Sequence, residues 1–255
     1  MPRPTGRNIA LSLPRRFICD LVHFAQRVPS VPVQRRMNLA AVVGARQAAQ
    51  PRPSWSVIFA KAFSMVATRR PELRRAYLSF PKPHFYEHGG NVASIALERH
   101  LGDEEAVLFA HLKSPEAQSL AYLDALLRQH KEQPVESIAS FRRILRLSRL
   151  PRIIRRLAWW FGLNVWGRKR ARYMGTFGIS TYSSLGASSL HPLTPLAFTL
   201  NYGVIDAHGT VDVRIIYDHR VLDGAQVARA LHDIERVLNR EILSELRCMH
   251  AAAAA

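Results

Sequence analysis

The stretch TVDVRIIYDHRVLDGAQVARALHDIERVL, residues 210–238, leaves this chain the least conformational choice. Its first part alternates side chains at the period of a strand, and its last part repeats apolar residues at helical spacing. RVLDG joins the two in a tight turn. Asp223 followed by Gln226 has the pattern of a capping box: the aspartate binds free amides of the first helical turn and the glutamine reaches back. His219 stands at the strand end, four residues before Asp223. Two readings of this pair are open. In one, His219 is a hydrogen-bonded polar residue and Asp223 is only a helix cap. In the other, a neutral imidazole takes a proton from a thiol or hydroxyl, and Asp223 orients it directly or through Arg220.

The rest of the chain mixes strands and helices without strict alternation. SVPVQRRMNLAAVVGAR predicts a strand and then a turn; PSWSVIFAKAFSMVATRRPEL predicts a helix that Ser54 caps and Pro71 ends. RAYLSF, HFYEH, NVASIALER and EAVLFAHL read as strands separated by turns with Pro and Gly. SPEAQSLAYLDALLRQHKEQ reads as a helix capped by Ser114, with Pro115 in its first turn. GTFGISTYSS, PLAFTLNYGVID and GTVDVRIIYD read as three further strands. Hydrophobic residues make up 48% of 255, enough for a sizeable core. This pattern predicts one α/β or α+β domain over residues 31–250. A basic arm of residues 1–30 precedes it, with a short helix around Arg15–Gln26, and an alanine tail of residues 251–255 follows.

Several function classes lose support. Cys19 and Cys248 belong to no C-x-x-C pair, so neither a zinc nor a redox motif is present, and the usage fits a reducing, cytoplasmic compartment. His84, His88, His100, His111, His191 and His208 show no metal-ligand spacing. No stretch is apolar for the roughly 20 residues that a membrane span needs. The net charge of +17 predicts attraction to anions: phosphorylated cofactors, anionic lipid or acidic carrier proteins.

At YDHRVLDGAQVARAL the sequence resembles the catalytic core of the dihydrolipoamide acyltransferases of 2-oxo acid dehydrogenase complexes. A shorter form of the motif, His-x-x-x-Asp-Gly, also marks chloramphenicol acetyltransferase. GTFGISTYSSLG resembles the Gly-Thr-Phe-x-Ile-Ser segment of that family, NVASIALER its central strand and SWSVIFAKAFSMVATRRPELRRA its first long helix. The resemblance implies a chloramphenicol acetyltransferase-like mixed-sheet sandwich flanked by helices, assembled as homotrimers or larger cages of trimers. It implies an active site between subunits, with His219 as general base, Asp223 as its orienter and Ser180 of the adjacent subunit as oxyanion donor. Thr181, Ser183 and Ser184 are rivals of Ser180. It also implies an acyl thioester as substrate and no metal. No Asp-Lys-Ala-type lipoylation motif is present, so no lipoyl group is expected on this chain. The expected donor is coenzyme A, an acyl carrier protein or a separate lipoyl protein. The alternative is a non-catalytic scaffold of the same fold.

The segment 141–172 departs from that family. It holds ten arginines, one lysine and no acidic residue, so most of the basic excess is local. Apolar residues, Trp159 and Trp160 among them, interleave with the arginines, and Pro151 is expected to break the helix. Three readings are open: a core helix with a solvated or subunit-contacting arginine face, a helix on an anionic membrane surface, or a surface for an acidic partner. Nucleic acid comes last, because no recognisable nucleic-acid motif accompanies the basic patch.

Overall fold

The alternation read in residues 210–218 becomes a strand between two partners in a six-stranded mixed sheet. The computed structural model describes residues 6–254, and the side chains of residues 6–251. Residues 1–5 of the expected basic arm and Ala255 of the expected tail lie outside the described residues. In chain order the elements are α1 (Leu13–Ala25), β1 (Ser30–Asn38), α2 (Ala40–Ala48), α3 (Trp55–Arg69), β2 (Arg75–Leu78), β3 (His84–Glu87), β4 (Val92–Leu101), β5 (Glu104–Lys113) and α4 (Leu120–Glu132). There follow α5 (Ala139–Arg149), α6 (Arg152–Asn164), α7 (Gly167–Met174), β6 (Phe177–Ile179), β7 (Phe198–Tyr202), β8 (Thr210–Asp218), α8 (Gly224–Val237) and α9 (Leu243–Ala254). The sheet order is β1-β8-β7-β6-β4-β5, and β2 pairs with β3 in a separate ribbon. β6 runs parallel to both β4 and β7, and the remaining pairs are antiparallel.

One face of the sheet carries the main core. Phe177 and Ile179 of β6, Phe198 and Leu200 of β7, and Val213, Ile215 and Tyr217 of β8 all point there. They pack on α3, whose residues Val57–Ser64 are all buried. A helix apolar nearly all round belongs inside a fold. Phe59 stacks on Tyr202 and Phe63 on Phe177, with ring centroids 4.4 and 4.2 Å apart.

The other face is covered by α1 and α5–α7. Phe17, Phe24, Trp159 and Leu163 form a second, smaller cluster there. Pro151 lies between α5 and α6, where its missing N–H breaks the ladder as the sequence predicts. Asp20 of α1 is buried against this roof. Its two oxygens accept from Arg155 Nε at 2.6 Å and Arg156 Nε at 2.7 Å.

Three local expectations are corrected: Ser54 stands at the N-cap position of α3, but its side chain makes no capping bond. The turn expected after β1 is the helix α2, whose alanines favour that conformation and which packs on α9. Ser114 does not cap α4. It adopts a left-handed conformation, φ 44°, a single 3-10 turn follows, and Ser119 accepts from the Tyr122 amide instead. A cap residue takes an extended backbone, which Ser119 has and the left-handed Ser114 lacks, so the cap lies downstream. The final alanines continue α9 to Ala254.

Replacing Asp20 with alanine strands Arg155 without its carboxylate. The loss is expected at about 3–5 kcal/mol, read as a lower urea midpoint.

Candidate active site

β8 delivers His219 to an exposed turn. The His219 amide donates to the Pro29 carbonyl at 3.0 Å, which ties the turn to the chain just before β1. The imidazole lies beside Tyr217, with ring centroids 5.5 Å apart. Asp223 caps α8, and its amide donates to Gln226 Oε1 at 3.1 Å. The distance from His219 Nδ1 to Asp223 Oδ1 is 3.8 Å, beyond hydrogen-bond length, and both side chains are well exposed. So the cap exists and the carboxylate is near the ring, but this geometry holds no direct His–Asp bond. Arg220 does not link them either.

Arg220 instead grips Asp218, a residue that sequence reasoning passed over. Asp218 is buried and accepts from the Arg220 amide at 3.0 Å, Nε at 2.9 Å and Nη2 at 2.7 Å. The Arg220 guanidinium also lies 4.2 Å over the Tyr77 ring. Close by is Arg170 of α7, which is buried and donates to the carbonyls of Tyr77, Leu163 and Pro195 at 2.9–3.1 Å. Burial pulls the Arg170 guanidinium down to about 10; Asp218 opposes that shift and Arg220 adds to it. The turn holding His219 is therefore fixed from behind by Asp218 and Arg220, not from the side by Asp223. The signal was the Asp-x-Arg spacing in YDHR.

Ser180 ends β6. Its amide donates to the Leu200 carbonyl at 3.3 Å, and its carbonyl accepts from Asn201. Among the described residues its hydroxyl has no hydrogen-bond partner. The rivals differ. Thr181 Oγ1 accepts from the Ser183 amide at 3.2 Å and bonds the Tyr202 carbonyl at 3.1 Å, so Thr181 and Ser183 are committed to holding the loop. Ser184 is exposed in a 3-10 turn. Upstream, Gly175 has φ +89°, and a Cβ there would meet the Val92 carbonyl at 2.9 Å, which requires glycine at the head of GTFGIS.

Ser180 and His219 do not meet within one chain. The register places Ser180 beside Asn201, and Asn201 opposite Arg214 on β8. His219 lies five positions further along, roughly 16 Å at the usual strand rise. Between them the second sheet face is polar and largely buried, with Thr199, Asn201 and Arg214 on it. Among the described residues, no group of three or more His, Cys, Asp or Glu is placed to hold a metal.

This mixed sheet, with helices on both faces and a histidine on the turn after its penultimate strand in the sheet order, is the chloramphenicol acetyltransferase-like fold of acyltransferase cores. Among solved structures, the dihydrolipoamide acetyltransferase (E2p) of Azotobacter vinelandii superposes with a TM-score of 0.68 at 16% identity, over 96% of this chain and 95% of that one. The cubic core of the pyruvate dehydrogenase multienzyme complex gives 0.66 at 15%, over 96% and 95%. A chloramphenicol acetyltransferase gives 0.50 at 12%, over 90% and 96%. In the Azotobacter enzyme a serine, a histidine and an asparagine have been investigated for their role in the catalytic mechanism, the asparagine four positions after the histidine. No protein-family model and no curated protein matches the sequence.

Two histidines, His88 buried and His111 half-buried, give the molecule a pH dependence. Burial first, then Arg170 and Arg74, push His88 down to about 4. Burial first, then Arg143, push His111 to about 4. The unfolded chain binds these protons near 6.5. Stability is therefore fully present above that value and is lost as pH falls toward 4. Each histidine is expected to remove about 2 kcal/mol between pH 8 and pH 5. His88→Gln should flatten the dependence of the urea midpoint on pH by one histidine's share; an unchanged slope contradicts this.

Proposed function

We propose that this chain is an acyltransferase, moving an acyl group from a thioester to a thiol, hydroxyl or amine at a site shared between subunits. The observation that carries the reading is the separation along the sheet of two chemically apt groups. His219 is exposed on a rigidly backed turn, and the Ser180 hydroxyl has no partner among the described residues. Each sits too far from the other to act within one chain. A homotrimer in which Ser180 of one subunit meets His219 of the next makes both useful. The likeness of fold to the cubic core of the pyruvate dehydrogenase complex supports trimers built into a larger cage. Asp223 follows His219 at the interval separating the asparagine and histidine of the Azotobacter enzyme.

In this mechanism His219 takes the proton of the acceptor as its heteroatom attacks the thioester carbonyl. With Nδ1 on the side of Asp223, Nε2 is the atom turned to the acceptor. The neighbouring Ser180 hydroxyl donates to the developing oxyanion. Collapse of the tetrahedral intermediate breaks the C–S bond, and the imidazolium returns its proton to the departing thiolate. Coenzyme A, an acyl carrier protein or a separate lipoyl protein serves as donor. The basic surface suits the first two, one phosphorylated and the other commonly acidic.

With a panel of acyl-coenzyme A donors, His219→Ala is expected to lower turnover roughly 10²–10⁴-fold. Ser180→Ala should lower it roughly 10²–10³-fold with little change in KM. Mixing the two variants before assembly should recover activity, because a mixed trimer contains a site with both residues intact. Full turnover in His219→Ala removes it as the base. Assembly without turnover on any donor favours the scaffold reading.

A second proposal concerns where the protein sits. On α6, Ile153, Ile154 and Leu157 are 75%, 50% and 52% exposed, and Arg149 and Arg152 flank them in the open. An exposed apolar stripe beside cations fits an anionic membrane surface. Among the described residues no helix is long and apolar enough to cross a membrane. Co-sedimentation with anionic but not neutral vesicles, weakened by salt and by Ile153→Asp, is expected. Equal binding to both vesicle types contradicts the proposal.

A further inference from the structure

The roof of α1 and α5–α7 does not close fully on the sheet. It leaves a pocket of about 280 Å³, near the lower end of the roughly 300–1,000 Å³ of small-molecule sites. Phe17, Phe109, Ile144, Leu147 and Leu196 give it an almost wholly apolar wall. Its floor runs from Leu196, just before β7, past Ser94 on β4, to Phe109 and His111 on β5. Those strands span three spacings, roughly 14 Å, a floor that suits an extended chain. The pocket is partly open to solvent, so its apolar wall stays in contact with water unless an apolar group covers it.

The pocket also has a polar end. One of its lining residues, Trp159, is buried, and its Nε1 has no hydrogen-bond partner among the described residues. Buried polar atoms are rarely left so. The indole N–H can only donate, so an oxygen acceptor satisfies it. Arg143, exposed on α5, lines the same pocket. His111, also in the lining, stays neutral with its N–H toward the Met174 carbonyl. Cation and indole donor together select an anion.

We propose that this pocket binds a medium-chain fatty carboxylate, its carboxylate at Arg143 and Trp159 and its chain directed toward Leu196. The proposal does not rest on acyl transfer by His219, because binding is read without turnover and on His219→Ala protein as well.

The test is calorimetric titration with hexanoate, octanoate, decanoate and dodecanoate. Affinity is expected to rise about fourfold per methylene until the pocket is full, then level off. Methyl decanoate, without the charge, should bind at least tenfold more weakly than decanoate; equal binding would assign the pocket to uncharged acyl chains and overturn the carboxylate. Arg143→Gln should lose most of the preference for decanoate over its ester. Gly162 lines the pocket, and a Cβ there meets nothing within 4 Å. Gly162→Leu is therefore expected to fill the space, abolish binding and leave the thermal melt unchanged or raised. Binding of no chain in the series, or undiminished decanoate binding by folded Gly162→Leu, overturns the proposal.

Discussion

The Asp218 carboxylate is the constraint on which the rest of the site depends. Burying an ion costs several kcal/mol unless it is paired and hydrogen-bonded. Arg220 meets that condition from two residues away, through its amide and two guanidinium nitrogens. The pairing forces the chain to double back directly after β8, and His219, between the two partners in sequence, is thrown outward. Arg170 extends the same network to β2, α6 and the segment before β7. One buried charge cluster thus joins the turn of the candidate base to the roof over the opposite sheet face.

That connection gives the two faces different characters. The α3 face is a conventional apolar core with stacked aromatic rings. The other face is polar over β6–β8 and apolar only toward β5, where α1 and α5–α7 sit. Among the described residues Thr199 Oγ1 and Asn201 Oδ1 are buried there without a hydrogen-bond partner. The same face carries Ser180. A second subunit set against its Ser180 end would complete the proposed site.

Much of this was legible in the sequence. The strand, turn and capped helix around His219 follow from alternation, the Asp–Gln box and helical periodicity, all local effects. So does the break at Pro151, where a missing donor leaves no choice. The helix α2 was not legible, since its apolar residues have meaning only against α9. Nor was the cap of α4, where two serines compete and their backbone conformation decides. The arginines of 141–172 show the limit most clearly. Sequence treats all ten alike, yet Arg155 and Arg170 are buried on specific partners, while Arg149 and Arg152 stand in solvent.

By itself, then, and apart from Ser180, which rests on the family resemblance, the sequence determined most of the elements, the mixed α/β class, the pair His219 and Asp223, and the local concentration of positive charge. These depend on neighbours within a few residues, or on composition. Tertiary structure alone decided which carboxylate fixes the histidine turn, that Ser180 and His219 lie apart on the sheet, and that the basic helices roof a pocket. Each of those rests on contacts between segments distant in sequence. Their energies come from burial and desolvation, which no local pattern encodes.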